Sequence, residues 1–355
     1  MKNIKENEYY FAAMNTAAGF RGYFSEIFGE SDQLYIIKGG PGTGKSRFMR
    51  LLGERAEENG YSAEYFLCSS DPTSLDGVII TDSAGKKTGI IDGTAPHAYE
   101  PTSAGIHEHI LNFGEFWNSE LLIPHKNETE KISLEKKRLY RSVYSYLTAV
   151  SALDGITKEI MRQTIDESKL NIAIQKLLKG VRYGDGYSEK LRIRSAVSCD
   201  GSVILGTYGK LAKKSYAVSD LMLTANEFMS RLKKELVSRK VAIQISYSPF
   251  TPDVPDAIYI PSESLAFYIG CSTESGCIEK NINMRRFVIP ERLAPHKPKL
   301  REIAKVRREL LSQLYRDSAS IRSLHAELEH IYGMAMDFSQ KERFTEEFSA
   351  RLFKK

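Results

Sequence analysis

Apolar positions between residues 34 and 60 form two patterns that predict a strand followed by a helix. Residues 34–38 are a short apolar run rich in residues that favour β-structure, which predicts a buried strand. From residue 47 to residue 59 the apolar positions recur at helical spacing, and Gly60 supplies a stop. These positions are Phe48, Met49, Leu51, Leu52 and Ala56. The segment between the two elements is therefore a strand-to-helix loop.

Two later stretches have apolar residues at gaps of three, four and seven, which predicts two long helices, here called the arms. The first series is Ile132, Leu139, Val143, Leu147, Val150, Leu153, Ile156 and Ile160. The second series is Ile303, Val306, Leu310, Leu314, Ile321, Leu324, Leu328 and Ile331. A further helical stretch follows each arm, at 168–178 and 339–353, and we interpret it as folding back on that arm.

Comparison of the chain with itself indicates two diverged halves. At one constant offset in residue number, Phe48, Met49 and Leu52 match Phe228, Met229 and Leu232, and Pro72, Asp76 and Ile80 match Pro252, Asp256 and Ile260. At a second constant offset the segment 124–126 matches 295–297, and so do later arm residues. We predict two domains, 1–185 and 186–355, with a linker near 180–186.

The loop of the first half has the composition of a phosphate-binding loop. It reads Gly39-Gly40-Pro41-Gly42-Thr43-Gly44-Lys45-Ser46. Glycines let backbone N–H groups turn towards phosphates, and the helix N-terminus adds partial positive charge. Lys45 is expected to reach the β- and γ-phosphates, and the Ser46 hydroxyl to ligate Mg²⁺. The expected nucleotide-binding residues are these eight and Arg47.

This segment resembles the Walker A motif of P-loop nucleoside triphosphatases. The chain also resembles a little-characterised bacterial family of tandem P-loop ATPases, in which a Cys-Ser-Ser-Asp-Pro-like and an Asp-Gly-Thr-Ala-Pro-His stretch follow the loop. Here these are 68–72 and 92–97. The resemblance implies an α/β fold with two tandem P-loop-like parallel-sheet lobes, each followed by a long helical arm. It implies ATP and Mg²⁺ as ligands.

A carboxylate at a neighbouring strand end is needed for the magnesium shell. Asp92 closes an apolar strand and is favoured over Asp82, which is followed by a turn-like sequence. Asp71 follows the strand predicted at 61–68, and two roles stay open: orienting a water or second substrate, or capping the turn before Pro72. The expected catalytic residues are Lys45, Asp92 and Asp71. His97 is interpreted as structural, with phosphate binding or acid–base chemistry as the alternative.

The second half has lost the loop chemistry. The segment opposite 39–46 is 219–226, which contains no glycine. Ala225 stands opposite Lys45 and Asn226 opposite Ser46. A loop with side chains on every residue and no lysine is not expected to wrap a triphosphate.

Composition and charge narrow the remaining choices. A 42% hydrophobic, 27% charged chain of 355 residues argues against global disorder. The net charge of +5 suits an anionic ligand without calling for nucleic acid. The spacing of the four cysteines predicts neither a disulfide framework nor a zinc site. The sequence shows no signal peptide and no transmembrane run, so we expect the protein to be located in the cytoplasm.

Three functions remain open. The first is a Mg²⁺-dependent ATPase whose second half supplies a cation to the intact site, with Arg285, Arg286 and the cluster Lys210, Lys213 and Lys214 as candidates. The second is a small-molecule phosphotransferase. The third is a nucleotide-dependent switch or scaffold that binds a partner protein through the arms. ATP is preferred over GTP because no Asn-Lys-x-Asp guanine motif is present.

Overall fold

The computed structural model describes residues 8–95, 98–270 and 280–353. The fold is α/β, with two six-stranded sheets of mixed strand direction and two long helices. Within the described residues, no helix combines the length and apolar character that crossing a membrane requires.

The first sheet takes its strands from residues 8–112 and has the order β1-β5-β6-β7-β4-β8. Its strands are β1 (Glu8–Phe11), β4 (Gln33–Lys38), β5 (Ser62–Leu67), β6 (Leu75–Thr81), β7 (Lys87–Asp92) and β8 (Glu108–Asn112). β4 is parallel to both β7 and β8. β6 is antiparallel to β5 and β7, so the sheet is mixed where a parallel sheet was expected. Short turns join these three strands, and a short turn can join only antiparallel neighbours.

The second sheet takes its strands from residues 189–283 and repeats that order as β9-β13-β14-β15-β12-β16. Its strands are β9 (Glu189–Leu191), β12 (Lys214–Ser219), β13 (Ile243–Tyr247), β14 (Pro255–Ile260), β15 (Leu265–Ile269) and β16 (Lys280–Asn283). Both sheets carry an irregularity at the same place: it precedes the Leu67–Leu75 pair in one and the Tyr247–Pro255 pair in the other. The repetition therefore extends to the register.

A two-stranded hairpin and a short helix follow the first strand of each sheet. The hairpins are β2 (Ala13–Thr16) with β3 (Gly19–Gly22) and β10 (Ser195–Ser198) with β11 (Gly201–Ile204); the helices are α1 (Phe24–Phe28) and α6 (Thr207–Leu211). The helix after the central strand is α2 (Lys45–Glu58) in the first half and α7 (Thr224–Ser238) in the second. Both bury the apolar face that the sequence predicts, including Phe48 and Phe228.

Each half continues through a short helix into a long arm. The short helices are α3 (Ser119–Leu122) and α8 (Pro290–Leu293), and the arms are α4 (Lys126–Thr164) and α9 (Lys297–Met334). The arms pack antiparallel along each other, because Lys136 contacts His325 at one end while Asp154 contacts Arg307 at the other. Val143, Leu147, Leu314 and Ile321 fill a buried cluster between them. The two arms therefore pack on each other.

The helices after the arms cross to the opposite sheet. They are α5 (Glu167–Leu177) and α10 (Phe338–Leu352). α5 buries Leu170 and Ile174 in the core of the second sheet, whereas α10 packs Phe344 and Phe348 against Phe48 beside the first. The expectation that these helices fold back on their own arms is therefore wrong. Their apolar faces are the same in either arrangement, so the sequence pattern does not distinguish the two.

Candidate functional site at the glycine-rich loop

The glycine-rich loop joins the end of β4 to the start of α2. Gly42 and Gly44 have φ angles of 73° and 77°, in the left-handed region that only glycine enters without strain. No side chain caps the N-terminus of α2 at Gly44. The first N–H groups of a helix have no partners inside the helix, so this end presents free donors and partial positive charge. A loop of this geometry, with free N–H donors and no capping side chain, is the kind that suits an anion.

Lys45 lies folded over this loop. Its Nζ donates to the carbonyl oxygens of Gly39 at 2.8 Å and Gly40 at 2.7 Å. The same Nζ is 3.5 Å from Oδ2 of Asp92, and both side chains are largely buried. The ammonium is therefore held at the mouth of the loop by carbonyl oxygens, which are partners that an anion can replace.

Asp92 reaches the loop because β7 pairs with β4, with Asp92 opposite Ile37. Its Oδ1 accepts a hydrogen bond from the Thr94 amide at 2.8 Å. The Thr94 hydroxyl in turn donates to the Gly39 carbonyl at 2.7 Å. Thr94, which the sequence did not single out, thus ties the Asp92 turn to the loop. His97 lies outside the described residues.

Ser46 and Asp92 are oxygen donors of the kind that Mg²⁺ takes when it keeps several waters and shares phosphate oxygens. The Ser46 Oγ accepts a hydrogen bond from the Leu75 amide at 2.9 Å, which fixes the hydroxyl at the start of α2. Residues 8–95, 98–270 and 280–353 contain no cluster of three or more His, Cys, Asp or Glu side chains suited to a metal. The donor set therefore fits a magnesium ion that arrives with phosphate.

The hydrogen bonds of the two other acidic candidates show which role each plays in the fold. Asp82 Oδ1 accepts from the Ala84 and Lys86 amides, so it is the turn residue that its sequence predicts. Asp71 Oδ1 accepts from the amide and hydroxyl of Thr73, which is the turn-capping role. The Asp71 charge nevertheless acts on the pKa of both His325 and Glu329, so this carboxylate also faces the arms.

The second arm lies directly on the loop. A Cβ at Gly42 would be 2.5 Å from the backbone oxygen of Glu329 on α9. At Gly40 the neighbours are the rings of Trp117 and Tyr332, which pack on each other with centroids 5.3 Å apart. The lack of side chains at both glycines lets the arm approach the loop closely.

A lysine–histidine pair joins the two arms beside the loop. Lys136 Nζ on α4 donates to Nδ1 of His325 on α9 at 2.8 Å. Burial, Lys136 and Lys45 lower the pKa of His325 to about 4, so its ring is neutral at pH 7. Burial and the Asp71 carboxylate raise the pKa of Glu329. The titratable groups of the loop and of the arms therefore form one electrostatic cluster.

The corresponding loop of the second half is closed by its own side chain. The two Asp220 oxygens accept from the amides of Leu223 and Ala225, each at 2.8 Å, at the N-terminus of α7. The strand registers place Ile269 where Asp92 lies in the first half. A carboxylate of the loop itself thus occupies the amides at the start of α7, and the apolar Ile269 stands in β15 where Asp92 stands in β7.

The lysine–histidine pair that joins the arms has a different counterpart at the second loop. By the offset that aligns the two arms, Arg307 is the equivalent of Lys136, and Asp154 is the equivalent of His325. They form a two-point ion pair, with Arg307 Nε 2.6 Å from Oδ1 and Nη2 3.0 Å from Oδ2 of Asp154. A closed salt bridge therefore occupies the position that a neutral histidine and a lysine hold beside the glycine-rich loop.

The cationic residues expected from the second half lie elsewhere. Arg285 and Arg286 follow Asn283, which pairs with Ser219, so they lie beside the second loop. Lys214 begins β12, at the end of that strand away from its loop. The second half instead reaches the glycine-rich loop through α9 and α10. The equivalent positions of the two arms differ: Lys136 corresponds to Arg307, and His325 to Asp154. That difference is visible in the sequence and could have identified Lys136 and His325.

Comparison of the chain with protein-family models, with curated proteins and with solved structures finds no match in any of the three. The case for a function therefore rests on the geometry at the loop.

Proposed function

We propose that this chain binds one Mg²⁺–ATP at the glycine-rich loop and hydrolyses it, as a P-loop nucleoside triphosphatase with one working and one degenerate lobe. The observation that carries the proposal is the uncapped N-terminus of α2, entered through two left-handed glycines, with the Lys45 ammonium resting on replaceable loop carbonyls. This arrangement offers both backbone donors and a cation to a polyphosphate.

Each loop residue has a role in this proposal. When the nucleotide binds, the Lys45 ammonium donates to phosphate oxygens in place of the carbonyl oxygens of Gly39 and Gly40. Ser46 and Asp92 would hold the magnesium ion, which supplies charge neutralisation to the phosphoryl group. Asp92 also stays close to Lys45, at 3.5 Å, and so keeps the ammonium over the loop.

The second half supports a stoichiometry of one nucleotide per chain. Asp220 already accepts from the amides at the start of α7, and a triphosphate entering there would meet its negative charge. Ala225 stands in the lysine position and offers no cation. Replacing it by lysine is therefore expected to leave the second loop empty, because Asp220 remains.

Calorimetry and a phosphate-release assay test the proposal. Wild-type protein with Mg²⁺–ATP is expected to bind one nucleotide and release free phosphate slowly. Lys45→Ala removes the cation at the loop and is expected to abolish binding, whereas the matched control Lys126→Ala, at the exposed start of α4, keeps it. Two bound nucleotides, or none, would contradict the proposal. Phosphate transferred to an added metabolite would indicate a kinase instead.

One observation also favours a nucleotide-dependent switch. The backbone of α9 rests on Gly42, and the charge of Lys45 acts on His325 in the same arm. A bound polyphosphate would therefore alter the charge balance at the contact between loop and arms. Hydrogen exchange in α9 with and without nucleotide tests this role, and unchanged protection in a protein that binds ATP would exclude it.

A further inference from the structure

The last helix of the chain brings a buried lysine to the glycine-rich loop. Lys341 lies in the first turn of α10 and is 4% exposed. Phe344 and Phe348 of the same helix pack against Phe48, which fixes α10 beside α2. The Lys341 Nζ lies 3.3 Å from the position that a Cβ on Gly44 would take. The ammonium is thus held at the N-terminus of α2.

Within the described part of the chain, this ammonium forms no hydrogen bond and no ion pair. Burial and the nearby Arg47 both lower the pKa of Lys341, and the one acid that acts on it is its sequence neighbour Glu342. Burying a cation without an anionic partner costs free energy, and a neighbouring arginine adds to that cost. Among the described residues, only Glu342 offsets part of this cost for Lys341.

The second half shows what the same position holds when no site is present. Asp166 and Asp337 cap α5 and α10 in the same way, so Leu170 occupies in α5 the place of Lys341 in α10. Leu170 is fully buried against the second sheet. The helix beside the closed loop therefore carries leucine, and the helix beside the open loop carries lysine.

We propose that Lys341 binds the phosphate chain of the nucleotide held by the loop, so that α10 of the second half completes the site of the first. This inference rests on the proposed function. A polyphosphate at the N-terminus of α2 would bring several negative charges close to Gly44 and Arg47. It would give the Lys341 ammonium the anionic partner that the described residues do not provide. Nucleotide binding would then also stabilise the packing of α10 beside the loop.

Lys341→Leu is the matched test, because it installs the residue that the second half carries. In calorimetry with Mg²⁺–ATP we expect the variant to bind at least about tenfold more weakly than wild type, as expected for loss of a charge-assisted hydrogen bond. In thermal unfolding without ligand we expect it to be at least as stable as wild type, since an unpaired buried charge is gone. Arg343→Leu, on the exposed side of α10, is the control and should retain affinity.

A purely structural lysine predicts a different pattern: Lys341→Leu would then bind Mg²⁺–ATP with wild-type affinity, which would overturn the inference and leave the proposed function intact. Wild-type protein that binds no nucleotide would overturn both. If Lys341→Leu unfolds, Lys341→Arg serves instead and should keep most of the affinity; loss of binding in that folded variant would refute a charge-based role.

Tripolyphosphate as the probe separates phosphate from nucleoside contacts. If Lys341 binds the phosphate chain, Lys341→Leu weakens tripolyphosphate and Mg²⁺–ATP by similar factors. Weakened binding of Mg²⁺–ATP with unchanged binding of tripolyphosphate would place Lys341 against the nucleoside and reject the phosphate assignment.

Discussion

His325 is a half-buried histidine that the arms bring to within hydrogen-bond distance of Lys136. Its Nδ1 accepts from Lys136 Nζ, so this nitrogen carries no proton when the pair is formed. Burial, Lys136 and Lys45 lower the pKa of His325 from 6.5 to about 4, while Asp71 and Asp92 act in the opposite direction. Protonation would place a third cation beside two lysines.

This arrangement predicts a loss of stability in mild acid. As the pH falls from about 6.5 towards 4, the unfolded chain takes up the His325 proton before the folded protein does, so folding becomes less favourable. Urea unfolding at pH 7 and pH 5 should show a smaller loss for His325→Gln than for wild type. His125→Gln, at the residue that precedes α4, should behave like wild type. Equal losses in all three proteins would contradict the prediction.

The positions of Lys45, Asp92 and Asp82 in the fold could be predicted from the sequence, because each lies within a local pattern of strand end, loop or turn. It does not place Lys136, His325 or Lys341, because these residues reach the loop only through the packing of helices far along the chain. Helical periodicity shows which face of an arm is apolar. It carries no information on which charged residue on the edge of that face meets a loop that is distant in the sequence.

The contact between α9 and the loop depends on the absence of a side chain at Gly42. A Cβ there would meet the Glu329 backbone oxygen at 2.5 Å, and a helix backbone has little freedom to yield. Gly60, which follows α2, has a similar φ of 81° but nothing within 4 Å of its Cβ position. Substitutions at the two glycines therefore share the backbone strain, and only the one at Gly42 also meets the arm.

Gly42→Ala is expected to destabilise the protein more than Gly60→Ala. The shared cost of a left-handed alanine is about 1 kcal/mol, and the clash with Glu329 should bring Gly42→Ala to at least about 2 kcal/mol. The midpoints of urea unfolding give both values, with Gly60→Ala as the matched control. Equal losses of unfolding free energy in the two variants would mean that α9 does not pack closely on Gly42.

Element types could be predicted from periodicity, but their partners could not. The strand at 34–38, the helix after the loop and both arms appear where the apolar pattern puts them. The antiparallel β6 and the crossing of α5 and α10 follow from turn lengths and from main-chain bonds between the halves. Two of these bonds run from the amide of Asn118 to the Ala335 carbonyl and from the amide of Ile289 to the Thr164 carbonyl.

At the scale of the whole molecule the halves are joined around an approximate twofold axis. The Phe11 amide donates to the Ile193 carbonyl, and these residues are equivalents by the strand registers. On one side Arg192, which is fully buried, forms two hydrogen bonds with Glu64. On the other side the equivalent contact is a single bond from Gln244 to the Tyr10 hydroxyl at 3.2 Å. Of these two equivalent contacts, only the one between Arg192 and Glu64 is charged.

Breaking the charged contact should loosen the junction between the halves. Burial raises the pKa of Glu64, but Arg192 and Lys190 outweigh that effect and hold it at about 2. Glu64→Gln leaves the buried Arg192 with a neutral partner at this position, while the Glu30 carboxylate stays 3.4 Å away. We therefore expect a loss on the order of 2 kcal/mol in the free energy of unfolding at pH 7. Gln244→Met, at the equivalent position, should cost only about 1 kcal/mol.

The pH dependence of this loss tests its electrostatic origin. Because the pKa of Glu64 is lowered from 4.5 to about 2, its contribution is complete above pH 4.5 and is lost as the pH falls towards 2. The difference in unfolding free energy between wild type and Glu64→Gln should therefore narrow from pH 7 to pH 3. The difference between wild type and Gln244→Met should stay constant, since burial raises the pKa of Tyr10 and neither side chain of that pair titrates between pH 3 and pH 7. A constant difference for Glu64→Gln would show that packing, and not the ion pair, holds the two halves together at this point.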